Sequence, residues 1–381
     1  MLLATDRLLG ASGEMRPGWL VVDGELITEV GDGAPPRRPD VDWSGRSVVP
    51  GFVDIHCHGG GGAGFQLADP DEVAAAASFH RLHGVTTVVA SLVSAPVDEL
   101  EVAVGKLRGL VDAGVVGGVH LEGPWLSEAR CGAHDPAYLR PPDPGDVARL
   151  LAAGAGAVRM VTLAPELPGG LDAVRQVVAA GVVAAVGHTD AAYEAVRDAI
   201  AAGATVATHL HNGMPPVHHR APGPIIACLE DPRMTIELIA DNVHLHPAIV
   251  HHDAASAPGR LALVSDAIPA AGAGDGTYLL GHREVTVRGG KVRLVAADTL
   301  AGSTLTLDVA VRNAVTAGLP VEAAVAAVTS GPADALGLGD RVGRLLPGRR
   351  ADLVVLDDDL SLVQVLAGGR PQLESKGDEG R

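Results

Sequence analysis

The chain has 381 residues, a formal charge of −17, 47% hydrophobic residues and 2% aromatics. That apolar content supports a full core and excludes wholesale disorder. The length suits one large barrel with an accessory piece, or two to three domains of roughly 150 residues each. The acidic balance excludes a nucleic-acid wrap, because phosphate neutralisation needs Lys and Arg. A small phosphorylated ligand needs only a local cluster of donors.

Taken in chain order, the N-terminus carries Asp6 and Arg7 inside its first apolar stretch and makes a poor signal peptide. The first 45 residues read as short antiparallel strands, with a hairpin over 19–30 turning at Asp23-Gly24. Apolar runs ending in polar residues then recur eight times, over 48–58, 85–94, 118–122, 158–166, 182–188, 205–211, 234–244 and 261–266. Ala-rich amphipathic segments lie between most of them, at 71–83, 98–113, 171–180, 191–202 and 248–255. Continuous Val/Ile/Leu runs fit strands buried on both faces of a parallel sheet. Eight such units predict an α/β protein built on a (β/α)8, TIM-like barrel. A hairpin over 278–295, with Gly289-Gly290 at its middle, follows the eighth run. Strand signals at 351–356 and 362–366 mirror those of the N-terminus. The two ends, 1–47 and 346–381, are therefore expected to form a small β-sandwich domain around a barrel at 48–345. The tail from residue 371 is polar and expected to fray. Cys57, Cys131 and Cys228 are too few for a disulfide framework, and no apolar run is long enough to span a membrane. A soluble cytoplasmic protein is expected.

The chemistry lies in what ends each run. Asp54-Ile55-His56-Cys57-His58, His120-Leu121-Glu122, Gly187-His188-Thr189, Thr208-His209-Leu210-His211-Asn212, Asp241 leading to His244, and Ser265-Asp266 all stand at carboxyl ends. In a barrel those ends face one mouth, so the side chains converge. Imidazole with carboxylate suits Zn²⁺ and similar divalent ions. His56-x-His58 has period two, which puts both rings on one side of a strand. With 16 His in the chain, that spacing alone is weak. The joint placement is stronger, because isolated buried charges carry a desolvation cost. Glu122 reads as a metal ligand or as a turn cap. Asp266 reads as a proton carrier or weak ligand, or as an N-cap or ion-pair partner. Asp54 supports the first His pair or serves the fold.

Pro50-Gly51-Phe52-Val53-Asp54-Ile55-His56-Cys57-His58-Gly59 resembles the opening of the amidohydrolase superfamily. His120-Leu121-Glu122-Gly123-Pro124-Trp125, Gly132-Ala133-His134, Gly187-His188-Thr189-Asp190, Thr208-His209-Leu210-His211-Asn212-Gly213-Met214, Ser265-Asp266-Ala267 and Leu300-Ala301-Gly302-Ser303 resemble, within it, the N-acetylglucosamine-6-phosphate deacetylase family. The resemblance implies a divalent metal held by Glu122, His188 and His209. A second is implied at His56 and His58 with Glu122 bridging, giving one or two ions per subunit. Zn²⁺ is expected first, with Fe, Mn or Co as alternatives. It implies Asp266 as the catalytic acid/base. Ala133, His134, His244, Leu300, Ala301 and Gly302 would line the sugar site, and Asn212 and the Gly213 backbone would meet the sugar phosphate. Arg220 would reach the phosphate from the neighbouring subunit of a homodimer. Cys131, in the loop between Glu122 and His134, is a candidate contact when that loop closes. The implied reaction releases acetate from a small phosphosugar, with no nucleic-acid or membrane partner. The alternatives are a related phosphosugar such as N-acetylgalactosamine 6-phosphate, or a non-catalytic scaffold.

Overall fold

The computed structural model describes residues 1–10 and 12–372. Eight strands form one all-parallel sheet in chain order: Phe52–Cys57, Val85–Leu92, Gly118–Glu122, Val158–Leu163, Val183–Val186, Val206–Ala207, Thr235–Leu238 and Leu261–Leu263. The first and last are joined past the eighth strand's end. Asp266 N–H donates to the His56 carbonyl at 2.9 Å, and His58 N–H to the Ala267 carbonyl at 2.8 Å. Asp54 accepts from the His56 and Ser265 amides, at 3.3 Å each, across the same seam. The sheet is therefore the (β/α)8 barrel that the eight apolar runs predict.

Each strand is followed by a helix: Pro70–Leu82, Val97–Asp112, Pro144–Gly154, Gly170–Ala179, Tyr193–Ala201, Gly223–Glu230, Pro247–Ser256 and Leu307–Thr316. Asp69 and Asp143 start the first and third by accepting amide hydrogens of the first turn, each before a proline. The third, sixth and eighth helices are additions to the five amphipathic segments read from the sequence. The strands are shorter than the apolar runs. The sixth stops at Ala207 because the backbone turns left-handed at His209 (φ 27°) and His211 (φ 79°). No helix among the described residues is long and apolar enough to cross a membrane.

The two chain ends share one sheet. Ser47–Pro50 pairs antiparallel with Leu353–Leu356 and parallel with Leu2–Leu9, which pairs with Met15–Asp23. Leu3, Leu8, Leu20, Val22, Ile27, Val48, Leu353 and Val355 form its separate core. The expected hairpin forms with its turn one residue later, at Gly24-Glu25, because Asp23 pairs with Leu26 after a register shift near Val22. The hairpin expected over 278–295 is a three-stranded meander: Gly276–Leu280, Arg283–Arg288 and Lys291–Leu294. A second turn at Gly281, φ 56°, supplies the additional strand. Residues 373–381 of the expected tail lie outside the described residues.

A belt of polar side chains crosses the barrel interior. Ser91 Oγ accepts from the Cys57 amide at 3.0 Å and lies 2.9 Å from His120 Nδ1. His120 Nε2 lies 2.8 Å from Thr162 Oγ1, which lies 2.7 Å from Thr208 Oγ1. Burial pushes the His120 pKa well below its usual value, so this ring is neutral. The last contact joins the fourth strand to the chain leaving the sixth, across the exit of the fifth. Gly187 stands there, and a Cβ on it would lie 2.7 Å from both Thr162 Cγ2 and Thr208 Cβ. Gly187→Ala is expected to cost about 1–3 kcal/mol through overpacking. Adding Thr162→Ser, which removes Cγ2, is expected to restore part of it. Urea midpoints of the two variants check this, and an unchanged midpoint for Gly187→Ala would refute the close approach.

Candidate active site

Three side chains at strand exits sit on left-handed backbone: His188 (φ 45°), His209 (φ 27°) and Asp266 (φ 46°). Non-glycine residues there carry strain of about 1–3 kcal/mol each and persist only where surroundings hold them. Backbone hydrogen bonds do so here. The Ser127 amide donates to the His188 carbonyl at 2.9 Å, and the Ser303 amide to the Asp266 carbonyl at 2.8 Å. The His209 amide donates to Glu237 Oε2 at 3.1 Å.

Glu122 ends the third strand and lies at the centre. Its Oε1 is 3.0 Å from both His188 Nε2 and His209 Nε2. Its Oε2 is 3.2 Å from His58 Nε2, 3.4 Å from His56 Nε2 and 3.5 Å from His134 Nε2. Asp266 Oδ1 lies 3.2 Å from His58 Nε2 and 3.6 Å from His56 Nε2. All of these residues are buried. Each carboxylate oxygen of Glu122 thus faces its own group of rings.

Hydrogen bonds on the far side of the rings place the protons. His58 Nδ1 is 3.1 Å from the Ser91 carbonyl and His188 Nδ1 is 2.8 Å from the Arg130 carbonyl. His56 Nδ1 is 3.1 Å from Glu237 Oε2. A carbonyl or carboxylate can only accept, so in each neutral ring Nδ1 carries the hydrogen and Nε2 presents a lone pair. Those lone pairs point at one another and at Glu122, with 3.2 Å between His56 Nε2 and His58 Nε2. That set is repulsive without a proton or cation among them. It is the donor chemistry a divalent metal requires, with each ring oriented by its second nitrogen. Clusters His56–His58–Glu122 and Glu122–His134–His188 both have metal-ligand proximity. His134 is the exception within them. Its Nδ1 accepts the Ser94 amide at 3.2 Å, so the neutral ring carries its hydrogen on Nε2 and acts there as a donor. Burial, with His188 adding to it, lowers the His134 pKa to about 4 against the pull of Glu122, which keeps the ring neutral. His134 therefore suits a substrate oxygen better than a metal.

Among the protein groups alone, burial opposes every charge, and opposite charges outweigh it at several positions. Glu122 and Glu237 hold the His56 pKa well above its usual value despite complete burial. Burial likewise lowers His58, but Asp266 and Glu122 raise it to about 8. Burial raises Asp266, yet His58 and His56 bring it to about 2, so it is a carboxylate at neutral pH. Asp241 Oδ2 holds His244 Nδ1 at 2.8 Å and, against burial, raises the His244 pKa.

His58, Glu122, Ala133, His134, His188, His209, Asn212, Gly213, His244, Asp266, Leu300 and Gly302 line one cavity. His56 lies fully buried beside His58. Ala301 is also buried, packed in the core of the meander. Cys131 is half-buried and Arg220 exposed, and neither lines this cavity. Val93, Gly132, Leu280 and Thr299 line it in addition to the expected set. Glu237 is the main residue that sequence reasoning missed. The available signal was a lone Glu inside the apolar strand Thr235–Leu238.

The amidohydrolase family model matches residues 47–375. The chain belongs to the amidohydrolase family. This amidohydrolase superposes on a Mycobacterium smegmatis N-acetyl-D-glucosamine-6-phosphate deacetylase variant solved with N-acetyl-D-glucosamine 6-phosphate, with TM-score 0.95 and 49% identity over 98% of this chain and 99% of that one. The human N-acetylglucosamine-6-phosphate deacetylase is 37% identical, covering 97% of this chain and 93% of its own. An N-acetylgalactosamine-6-phosphate deacetylase of Escherichia coli O157:H7 is 38% identical, over 85% and 87%.

One consequence of the raised His58 pKa is testable in this amidohydrolase after stripping with a chelator. A group whose pKa rises from an ordinary 6.5 to about 8 on folding adds stability that is complete below pH 6.5. That stability is lost as pH rises through about 8. The urea midpoint of stripped wild type is expected to fall further between pH 6.5 and 9 than that of His58→Asn. Parallel curves would contradict the ion-pair geometry.

Proposed function

We propose that this amidohydrolase removes the acetyl group of N-acetyl-D-glucosamine 6-phosphate, giving D-glucosamine 6-phosphate and acetate. The observation that carries the reading is Asp266. It is an ionised carboxylate beside Glu122 and its imidazoles, on a cavity that also holds a proton-bearing His134. The relatives named above support the substrate class over nearly the whole chain.

Glu122, His188 and His209 would hold one divalent ion, and His56 and His58 with Glu122 a second. When bound, such an ion acts as a Lewis acid and lowers the pKa of water from about 15.7 to about 7. Asp266 takes the proton of the attacking water as the acetyl carbonyl becomes tetrahedral. Its low pKa keeps it ionised and able to accept at neutral pH, and the weak basicity that goes with it is offset as the attacking water becomes acidic in the transition state. His134 Nε2–H faces the cavity and can donate to the developing oxyanion or to a sugar hydroxyl. An amide nitrogen leaves poorly unless protonated, and Asp266 delivers that same proton to it as the C–N bond breaks. His244, held by Asp241, orients the sugar.

Among the described residues, no Lys or Arg lines the cavity. A phosphate dianion there needs a cation from outside it, which supports a homodimer in which Arg220, with His218 and His219, serves the neighbouring site. Arg220 is exposed, with its guanidinium 2.6 Å from His219 Nε2. We further propose Zn²⁺ as the resident ion, with Fe, Mn or Co as alternatives. A reducing cytoplasm fits the three free cysteines. The proposed division is a β-domain at 1–47 and 346–381 around a barrel at 48–345.

The deciding experiment is a panel of acetylated hexosamine 6-phosphates assayed for acetate, with metal quantified in the same preparation. The 38%-identical Escherichia coli relative supports N-acetylgalactosamine 6-phosphate as the second reading. Preference for that epimer would select it, and no acetate from any member would leave a non-catalytic scaffold. Asp266→Asn is expected to retain metal and lose at least about 100-fold in kcat, the scale of acid–base removal. Near-normal turnover would end that assignment. Arg220→Ala is expected to raise KM for the phosphorylated sugar and not for N-acetylglucosamine. Mixing it with Asp266→Asn should restore activity through hybrid dimers, and an equal loss on both sugars would exclude a phosphate contact.

A further inference from the structure

Beneath the site, Glu237 joins two elements that Glu122 joins above. It lies inside the seventh strand, Thr235–Leu238, and is fully buried. Its Oε2 accepts from His56 Nδ1 at 3.1 Å and from the His209 amide at 3.1 Å. Its own carbonyl accepts the Leu210 amide at 2.9 Å. Its Oε1 has no hydrogen-bond partner among the described residues. A buried carboxylate with one oxygen unsatisfied is costly, so packing alone does not explain it. An apolar residue would fill the same strand position without that cost.

What the carboxylate does is geometric. His56 and His209 come from the first strand and from the chain leaving the sixth, and their rings stack with centroids 5.3 Å apart at 28°. His209 sits at φ 27°, a conformation its backbone would leave if unrestrained. By accepting the His209 amide, Glu237 holds that backbone. By accepting the His56 Nδ1 hydrogen, it commits the ring to presenting its Nε2 lone pair towards Glu122. His58 and His188 have backbone carbonyls in the equivalent position. His56 alone of these three is oriented by a side chain.

We propose that Glu237 is a positioning residue that fixes His56 and His209 together, so that the two imidazole groups facing Glu122 hold their spacing as one unit. This rests on the metal-dependent reading of the site. Glu237→Gln keeps an acceptor oxygen where Oε2 stands, whereas Glu237→Leu removes it and keeps the bulk. The test equilibrates purified full-length protein with Zn²⁺ against chelators of graded strength and counts bound metal, independently of turnover. Loss of an outer-sphere partner weakens metal binding roughly 10–100-fold. Glu237→Leu is expected to lose at least about tenfold in affinity at the weaker-held ion, and Glu237→Gln to stay within about threefold, both scaled on that range. Deacetylation should show kcat falling in the Leu variant with KM unchanged. The ring ¹⁵N shifts of His56 in Zn²⁺-loaded wild type and Glu237→Gln should report a hydrogen on Nδ1 and none on Nε2. Wild-type metal affinity in Glu237→Leu, or equal losses in both variants, overturns the proposal. If the Leu variant does not fold, a hydrogen on His56 Nε2 in Zn²⁺-loaded wild type overturns it alone. Should no sugar phosphate be deacetylated while the metal and ¹⁵N results hold, the substrate reading fails and the positioning role stands.

Discussion

The structure depends on one buried carboxylate faced by five imidazole nitrogens. The two Glu122 oxygens lie 3.0–3.5 Å from Nε2 of His56, His58, His134, His188 and His209. Burying a carboxylate is expensive, and burying lone pairs against it is more so, unless positive charge is shared among them. Protons can supply part of that charge, which is why His56 and His58 hold theirs so strongly. A divalent ion supplies it by displacing those protons from the ligating nitrogens. The arrangement is stable only as a whole, so moving one ring exposes the repulsion among the others.

The barrel meets this demand by fixing the far nitrogen of four of the five rings, while His209, whose Nδ1 has no partner among the described residues, is held through its backbone amide on Glu237. At the rim, left-handed backbone at His188, His209 and Asp266 turns each side chain abruptly off its strand. Behind the rim, carbonyls of Ser91 and Arg130 and the carboxylate of Glu237 choose which nitrogen carries hydrogen. The same choice separates two roles within one cavity. His58 and His188 offer lone pairs, while His134, whose Nδ1 accepts the Ser94 amide, offers a hydrogen. Proximity alone groups His134 with the metal-ligand set. The hydrogen-bond partner on the far nitrogen is the better guide, because it fixes what the near nitrogen can do.

Much of this was legible in the chain because strand ends are marked by chemistry. Apolar runs finishing in His, Glu or Asp gave the barrel, the mouth and the residues gathered there. Glu122 and Asp266 were readable because a carboxylate after a buried run has few structural uses. Glu237 was not, because it lies within its strand, and a lone polar residue in a run reads as a ragged pattern. Its partners come from residues 28 and 181 positions away in sequence. The run at 205–211 suggested a longer strand than Val206–Ala207, since propensity does not report the left-handed turns at His209 and His211. The meander was read as one hairpin because Gly289-Gly290 is a loud turn signal and Gly281-His282 a quiet one. Arg220 illustrates a different limit. The role proposed for it needs a second copy, which a single chain's fold signals do not describe.

Charge then decides how a phosphosugar can be recognised at all. The chain carries −17 overall, and the cavity itself holds Glu122 and Asp266 with no Lys or Arg of the described residues on its wall. Salt screens the distant charges beyond roughly 8 Å, so the local carboxylates matter most. Cations bound at Glu122 would neutralise the acetyl end of the pocket. They would do little for a phosphate attached to the opposite side of the sugar. On the wall, Asn212 and the Gly213 backbone offer only uncharged donors, so a guanidinium or ammonium for that group would have to come from outside it. Guanidinium is suited to it, because its planar fork matches phosphate oxygens and it stays charged at every working pH. On the proposed arrangement, acid–base chemistry in one chain and anion recognition from another would tie turnover to assembly. Only a dimer would then present both halves to the same substrate.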